Sequence, residues 1–315
     1  MTPFGYRVLG FGSGGVAPLP YVAATGPDGA AGVTDGDYKY HIFNATKTGS
    51  NGFVVSDAGD GTGSNTVEYL VVAGGGGAAS FKHNAGGGAG GYRASWNSEA
   101  SGGGASSESA VTPTVGNHNI TIGAGGAGGM YNTSPTSSQG SASSFALGVG
   151  VSTVGGGGGA SQEQAGTTGG SGGGGAGNGS YQSGYAGTSN EGYAGGDGAG
   201  SIVQNRRGGG GGGAGAVGQA GAADSGGNGG VGVASTITGS SVYRAGGGGG
   251  GSFDGGGGTG GNGGGADGSN YNSGAAGAAG TVNTGGGGGA GGYISTYSGG
   301  AGGSGVVILR YKFQN

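Results

Sequence analysis

A three-residue step carried by glycine constrains this chain more than any other feature. Residues 274–280 read Gly-Ala-Ala-Gly-Ala-Ala-Gly. Glycine pairs separate Ser298, Ala301 and Ser304, and likewise Ala124, Ala127 and Met130. The step occurs once at Ala89–Tyr92, Ala290–Tyr293 and Thr259–Asn262. Three residues per turn is the period of the polyproline II or polyglycine II helix, which rises ~3.1 Å per residue and makes no internal hydrogen bonds. Every backbone N–H and C=O of such a helix needs a partner outside it. Helices packed side by side supply these partners to one another, and that close approach requires faces without Cβ atoms. The pure runs Gly155–Gly159, Gly208–Gly213, Gly246–Gly251 and Gly285–Gly289 are therefore expected at the centre of a bundle. Helices with one larger residue in three are expected on its outside.

The glycines divide the chain. Residues 73–305 hold 88 of the 102, residues 1–72 hold 14, and residues 306–315 hold none. Leu, Ile, Val and Phe together number 42 of 315, too few for a conventional core through the whole chain. Such a composition resembles disorder, but a net charge of −4 gives little self-repulsion to keep the chain expanded. Collagen shares the three-residue period, yet all six prolines fall at or before Pro135, outside the glycine runs.

Several functions are excluded. Without cysteine there is no disulfide framework, cysteine zinc site or thiol catalysis. Ten Lys and Arg against fourteen Asp and Glu, all scattered, leave no basic face for nucleic acid. The apolar runs Val71–Ala73 and Val306–Leu309 are too short for a membrane span. The opening MTPFGYRVLG lacks the layout of a secretory signal, so a product made in a cytoplasm is expected.

Four segments read as strands. Tyr38, Tyr40 and Ile42 alternate with Lys39, His41 and Phe43, and Phe53–Val55 lies between turn-forming stretches. Thr66–Ala73 and Gly305–Phe313 are apolar on adjacent positions, as strands covered on both faces are. Pairing these two antiparallel closes the glycine-rich segment as one excursion from a common base. Asn119–Ile122, Ser144–Val154 and Val231–Val242 read as short β elements beside that base. The expected fold is mostly β and irregular, with almost no α-helix. Its parts are an extended arm (1–22), a β-rich base (23–72), a polyglycine II bundle (73–305) and a closing strand (306–315).

The order of these blocks carries a resemblance: VEYLVVAGGGG (67–77), GGGAGGYR (86–93), NITIGAGGAGG (119–129), GVASTITGSSVYRAGGGGGG (232–251), TVNTGGGGGAGG (281–292) and GGSGVVILRY (302–311). Residues 66–312 resemble the glycine-rich domain of bacteriophage tail-fibre adhesins of the T-even long-tail-fibre tip type. The resemblance implies a polyglycine II sandwich whose far-end loops contact the bacterial surface, an outer-membrane protein or a glycan, while the N-terminal region docks on other tail proteins. It implies a virion tail component assembled in the host cytoplasm, as a homotrimer or as a monomer on a trimeric fibre. Residues 1–65 do not match the attachment region of that family.

The expected recognition loops are rich in Tyr, Asn and Ser, residues that give adaptable contact surfaces. They contribute Phe81, Lys82, His83, Asn84, Tyr131, Asn132, Tyr181, Tyr185, Asn190, Tyr193, Tyr271, Tyr293 and Tyr297. The plainer reading of each Tyr is a cap on a helix end or a cover for a bundle edge. Topology assigns 80–84 and 293–297 to the end away from the base, because 67–73 enters from the base and 305–313 returns to it. By the same parity Trp96 is a base-packing residue. Phe4, Tyr6, Val8, Leu9 and Phe11 are the expected virion-attachment residues.

Neither enzyme nor cofactor chemistry is expected. His41, His83 and His118 lie in separate segments, and Asp57, Asp60 and Asn65 read as Asx-turn residues before calcium ligands. GGDG (195–198) and GGADG (264–268) are not a calcium-binding nonapeptide series, and glycine patterns near Gly10–Gly15 arise by chance in such a chain. The alternative functional class is a structural tail adaptor or fibre cap without receptor binding. An ice-binding bundle wants a regular Ala/Thr face that the Tyr-rich loops do not provide.

Overall fold

The computed structural model describes residues 20–80, 84–130, 137–177, 182–200, 206–222, 224–253, 255–270, 275–292 and 297–314. Among these the helical elements are three-residue 3-10 turns, and no helix is long and apolar enough to cross a membrane. The strands are β1 (Val22–Thr25), β2 (Val33–Asp35), β3 (Tyr38–Phe43), β4 (Phe53–Ala58), β5 (Val67–Val72), β6 (Tyr92–Ala94) and β7 (Gly116–His118). They continue with β8 (Ile120–Thr121), β9 (Ser143–Ala146), β10 (Gly150–Thr153), β11 (Val233–Ser235), β12 (Val242–Arg244) and β13 (Val306–Lys312).

The central sheet has the order β2-β3-β13-β5-β6. Strands β5 and β13 pair antiparallel from Val72↔Val306 to Val67↔Tyr311, so the two ends of the glycine-rich segment meet as their apolar patterns require. Both faces of the sheet are covered. Val67, Tyr69, Val71, Val307, Leu309 and Tyr311 pack with Phe53, Ile120 and Phe145, from the β1-β4-β7 and β8-β9-β10 sheets. Leu70, Val72, Val306 and Ile308 face the other way, onto Ala89, Ala214 and Ala245 at the inner ends of the glycine helices and onto Ile237 in the β11-β12 turn. Residues 231–244 form the expected hairpin, β11 against β12, and β9 pairs β10 within 144–154.

Beyond the sheets the backbone follows the three-residue period. Residues 73–79 donate in strict rotation: Ala73, Gly76 and Ala79 to Gly91, Gly88 and Ala85; Gly74 and Gly77 to Ser141 and Ser138; Gly75 and Ala78 to Gly303 and Gly300. Their carbonyls accept in the same rotation from 126 and 129, from 156 and 159, and from 288 and 291. One helix is thus bonded to six neighbours, and the partner numbers advance in threes. The same six-neighbour environment surrounds 85–91, 208–213, 246–251 and 285–291. Bonds between lateral helices, rather than within one helix, define polyglycine II packing.

The centre is not pure glycine as expected. Residues 85–91 bond to four of the other six-neighbour helices and include Ala89, which is 0% exposed. Its methyl group belongs to the apolar cluster with Leu70, Val72 and Tyr92, so it fills space against the sheet rather than separating helices. Elsewhere the rule is strict. A Cβ built on Gly210 falls on the carbonyl oxygen of Asn228, and one built on Gly248 falls on that of Gly288. The run 155–159 is buried throughout. One side meets the 161–168 segment, where Gly158 donates to Thr167 Oγ1 at 2.8 Å.

Candidate functional site

The hydrogen-bond register fixes which end of each helix lies at the sheets. Pairs such as Gly91→Val154, Gly170→Gly155, Ala214→Ala245 and Gly303→Gly286 mark the base end. Pairs such as Ala79→Ala85, Gly208→Gly251, Ser269→Ala290 and Gly299→Gly129 mark the far end. Helix ends at 80, 84, 130, 137, 177, 182, 252, 270, 275, 292 and 297 gather at the far end, and the turns at 188–192, 214–216, 262–264 and 281–285 lie at the base.

Of the far-end candidates, Asn84 and Tyr297 lie within the described residues. Asn84 is 2% exposed, and its Nδ2 donates to Gly291 O at 2.9 Å. It ties the far end of the 85–91 helix to that of the 285–291 helix. Tyr297 is half-buried, with its ring beside Gly292. Phe81, Lys82, His83, Tyr131, Asn132, Tyr181, Tyr271 and Tyr293 lie outside the described residues, as do the arm residues Phe4, Tyr6, Val8, Leu9 and Phe11.

The stretch 181–193 does not form one loop. Residues 182–188 run as a helix toward the base, with Tyr185 N–H bonded to Gly173 O and Thr188 N–H to Gly169 O. The Tyr185 ring covers Gly166 on the flank of the bundle. Asn190 and Tyr193 lie at the base, separated from Asn84 and Tyr297 by the length of the helices. The parity of 182–188, which sequence alone left open, sets this division.

The base contains the better-defined side-chain chemistry. Arg310 lies between two rings, 4.2 Å from the Trp96 centroid and 4.8 Å from that of Tyr38. Its Nη1 meets Asp35 at 2.8 Å and donates to Ile237 O at 2.9 Å. Trp96 Nε1 donates to Thr236 at 3.1 Å, so Trp96 is the base-packing residue that its position on the second helix implied. His41, 3% exposed, stacks on Tyr311, and burial first and Lys39 second lower its pKa to about 4. Asp60 accepts from Thr62 N–H and Oγ1 at 2.8 and 2.6 Å, and Asp57 from Gly59 N–H at 3.0 Å, the bonds of Asx turns.

A charged group that the sequence reading did not single out lies beside these residues. Arg93 Nε and Nη2 grip Glu108 at 2.7 and 2.6 Å, and Tyr69 OH donates to the same carboxylate at 2.7 Å. Burial opposes ionisation of Glu108, but the bonds from Arg93 and Tyr69 overcome it and hold its pKa below the usual value. Glu191 sits nearby, and burial raises its pKa. These residues are 15 and 83 positions apart in sequence, so no local motif joins them. Their available signal was charge itself, sparse in this segment. Among the described residues no group of three His, Cys, Asp or Glu side chains is arranged to hold a metal ion.

No curated protein matches the chain. The family described as a glycine-rich domain matches residues 56–312, somewhat more than the 66–312 span of the sequence resemblance, and the chain belongs to that family.

Proposed function

We propose that this chain is a phage tail-fibre adhesin, which attaches a virion to a bacterial surface through the far end of its glycine bundle. The supporting observation is the division of the molecule between its two ends. The described part of the far end consists of helix ends, carried on a bundle whose described backbone is cross-bonded from helix to helix. The base holds the strands at both ends of the glycine-rich segment. Among the described residues, the base carries exposed large apolar side chains that include Val149, Val217, Val231, Val242, Tyr243 and Val282. Apolar patches of this kind suit a protein partner, here another tail protein, with residues 1–65 contributing to the attachment. The order of the glycine blocks supports the same reading.

The test is binding of labelled protein to envelope preparations from a panel of bacterial strains. The reading expects saturable binding to at least one strain. A Phe81→Ala, Tyr293→Ala, Tyr297→Ala variant should lose that binding while melting like the parent, since interface energy concentrates in a few aromatic anchors. Undiminished binding by the variant overturns the assignment to this end. Binding to no strain favours a structural adaptor.

A further inference from the structure

The base end contains a cleft of about 580 Å3, lined by Arg93, Gly104, Ala105, Ser106, Glu108 and the 189–191 turn. One wall follows the 3-10 turn Gly102–Gly104, and the other is the turn between the helices 182–188 and 192–199. Two residues of the lining present polar groups to it. Glu191 is 8% exposed; its Oε2 accepts from Val154 N–H at 2.7 Å, and its Oε1, which takes no hydrogen bond among the described residues, is open to the solvent of the cleft. Asn190 holds φ at 66°, a left-handed conformation that glycine adopts without strain. Asparagine adopts this conformation more readily than most residues, as Asn97 and Asn283 also do, and Asn190 lines the cleft.

The lining narrows the ligand class. Both Glu108 oxygens are already occupied by Arg93 and Tyr69, and a guanidinium stands beside them, which disfavours a metal ion. Two carboxylates disfavour an anion. Ala105 is the single apolar side chain of the lining, so an apolar ligand has nothing to pack against. Arg93 uses three of its five N–H groups, on Glu108 and on Ser152 O, and keeps two. The cleft therefore offers an unpaired acceptor beside several unpaired donors. Groups that both donate and accept at adjacent positions match it, and vicinal hydroxyls have that property.

We propose that this cleft binds a saccharide, whose hydroxyls donate to Glu191 Oε1 and accept from Arg93, from the Asn190 amide and from the Ser106 and Ser189 hydroxyls. The site is independent of the far-end loops. It is tested by titrating the 15N-labelled full chain with D-glucose, D-galactose and N-acetyl-D-glucosamine. At least one sugar should shift the amides of 104–108 and 189–191 saturably in the millimolar range, leaving those of Asn84 and Gly292 unmoved. Glu191→Gln should weaken binding by about tenfold, the scale of one hydrogen bond to a charged group. Asn190→Gly should weaken it too while melting no lower than the parent, because glycine relieves the left-handed backbone. The proposal is overturned if none of the three sugars gives a saturable shift. It is equally overturned if both variants bind as the parent does, or if methylammonium moves these amides and the sugars do not.

Discussion

The base and the bundle solve one problem in different ways. In the base, an inner strand such as β5 or β13 bonds to two neighbours in a plane, and the sheet is stabilised by side chains packed on its faces, such as Leu70 and Ile308 on one and Tyr69 and Leu309 on the other. In the bundle, a helix such as 208–213 bonds to six neighbours and buries no side chain beyond a hydrogen atom. Glycine loses more conformational freedom on folding than any other residue, and the bundle has little hydrophobic burial to offset that loss. Its stability rests on satisfied backbone groups and close contact in three dimensions. Tolerance to substitution should therefore be opposite in the two regions. A side chain removed from the base leaves a cavity; a side chain added to the bundle breaks a lattice.

The largest expected effect follows directly. Gly210→Val or Gly248→Val should abolish soluble folding, because each new side chain falls on a neighbouring carbonyl and separates helices that share several bonds. Each stranded group costs about 1–3 kcal/mol, and a few exceed the roughly 5–15 kcal/mol that keeps a domain folded. Soluble yield and thermal melting are the readouts, and melting within a degree or two of the parent would show that these runs do not need faces free of side chains. Next in size is Leu309→Ala in the base, 0% exposed. It should fold with stability reduced by about 2–5 kcal/mol in denaturant titration.

A third effect belongs to the base alone. His41 remains neutral in the folded chain down to about pH 4, whereas its ordinary pKa is 6.5. The unfolded chain therefore binds a proton that the folded chain does not. The stability held by neutral His41 is complete above about pH 6.5, declines as the pH falls, and levels off below about pH 4, by at most about 3 kcal/mol. His41→Phe should flatten that part of the pH profile. The smallest effect lies at the boundary between sheet and bundle. Ala89→Gly keeps the lattice and removes one methyl group from the sheet cluster, and should cost about 1 kcal/mol. A stabilised variant would show that Ala89 strains the bundle instead.

The two regions also differed in how far sequence could be read. Strands β5 and β13 were legible because adjacent apolar residues between glycine-rich flanks have few other uses, and their pairing followed from closure of the segment. The polyglycine II packing was legible from the three-residue step, since a helix without internal bonds implies lateral ones. Lateral order was not legible. Which helices neighbour 85–91 depends on contacts between near-identical runs, and Ala89 at that centre looked like an outside residue. The direction of 182–188 decided that Asn190 and Tyr193 lie at the base, and a repeating Gly-Ser-Tyr stretch carries no mark of direction. The Arg93, Glu108 and Glu191 group was hidden for the same reason: the lattice, not a motif, brings it together. Arg310 read as one residue of a closing strand, whereas its position between Trp96 and Tyr38 depends on a turn more than two hundred residues earlier.

Native-state hydrogen exchange compares the two regions most directly. If the glycine runs are a bonded lattice continuous with the sheet, the amides of Gly87, Gly211 and Gly248 open only with the whole molecule. They should then exchange as slowly as those of Val71 and Leu309, with protection that falls in parallel as denaturant is added. Glycine amides that exchange orders of magnitude faster than the β5 and β13 amides would contradict the account, and would make the runs linkers between strands rather than the body of the fold.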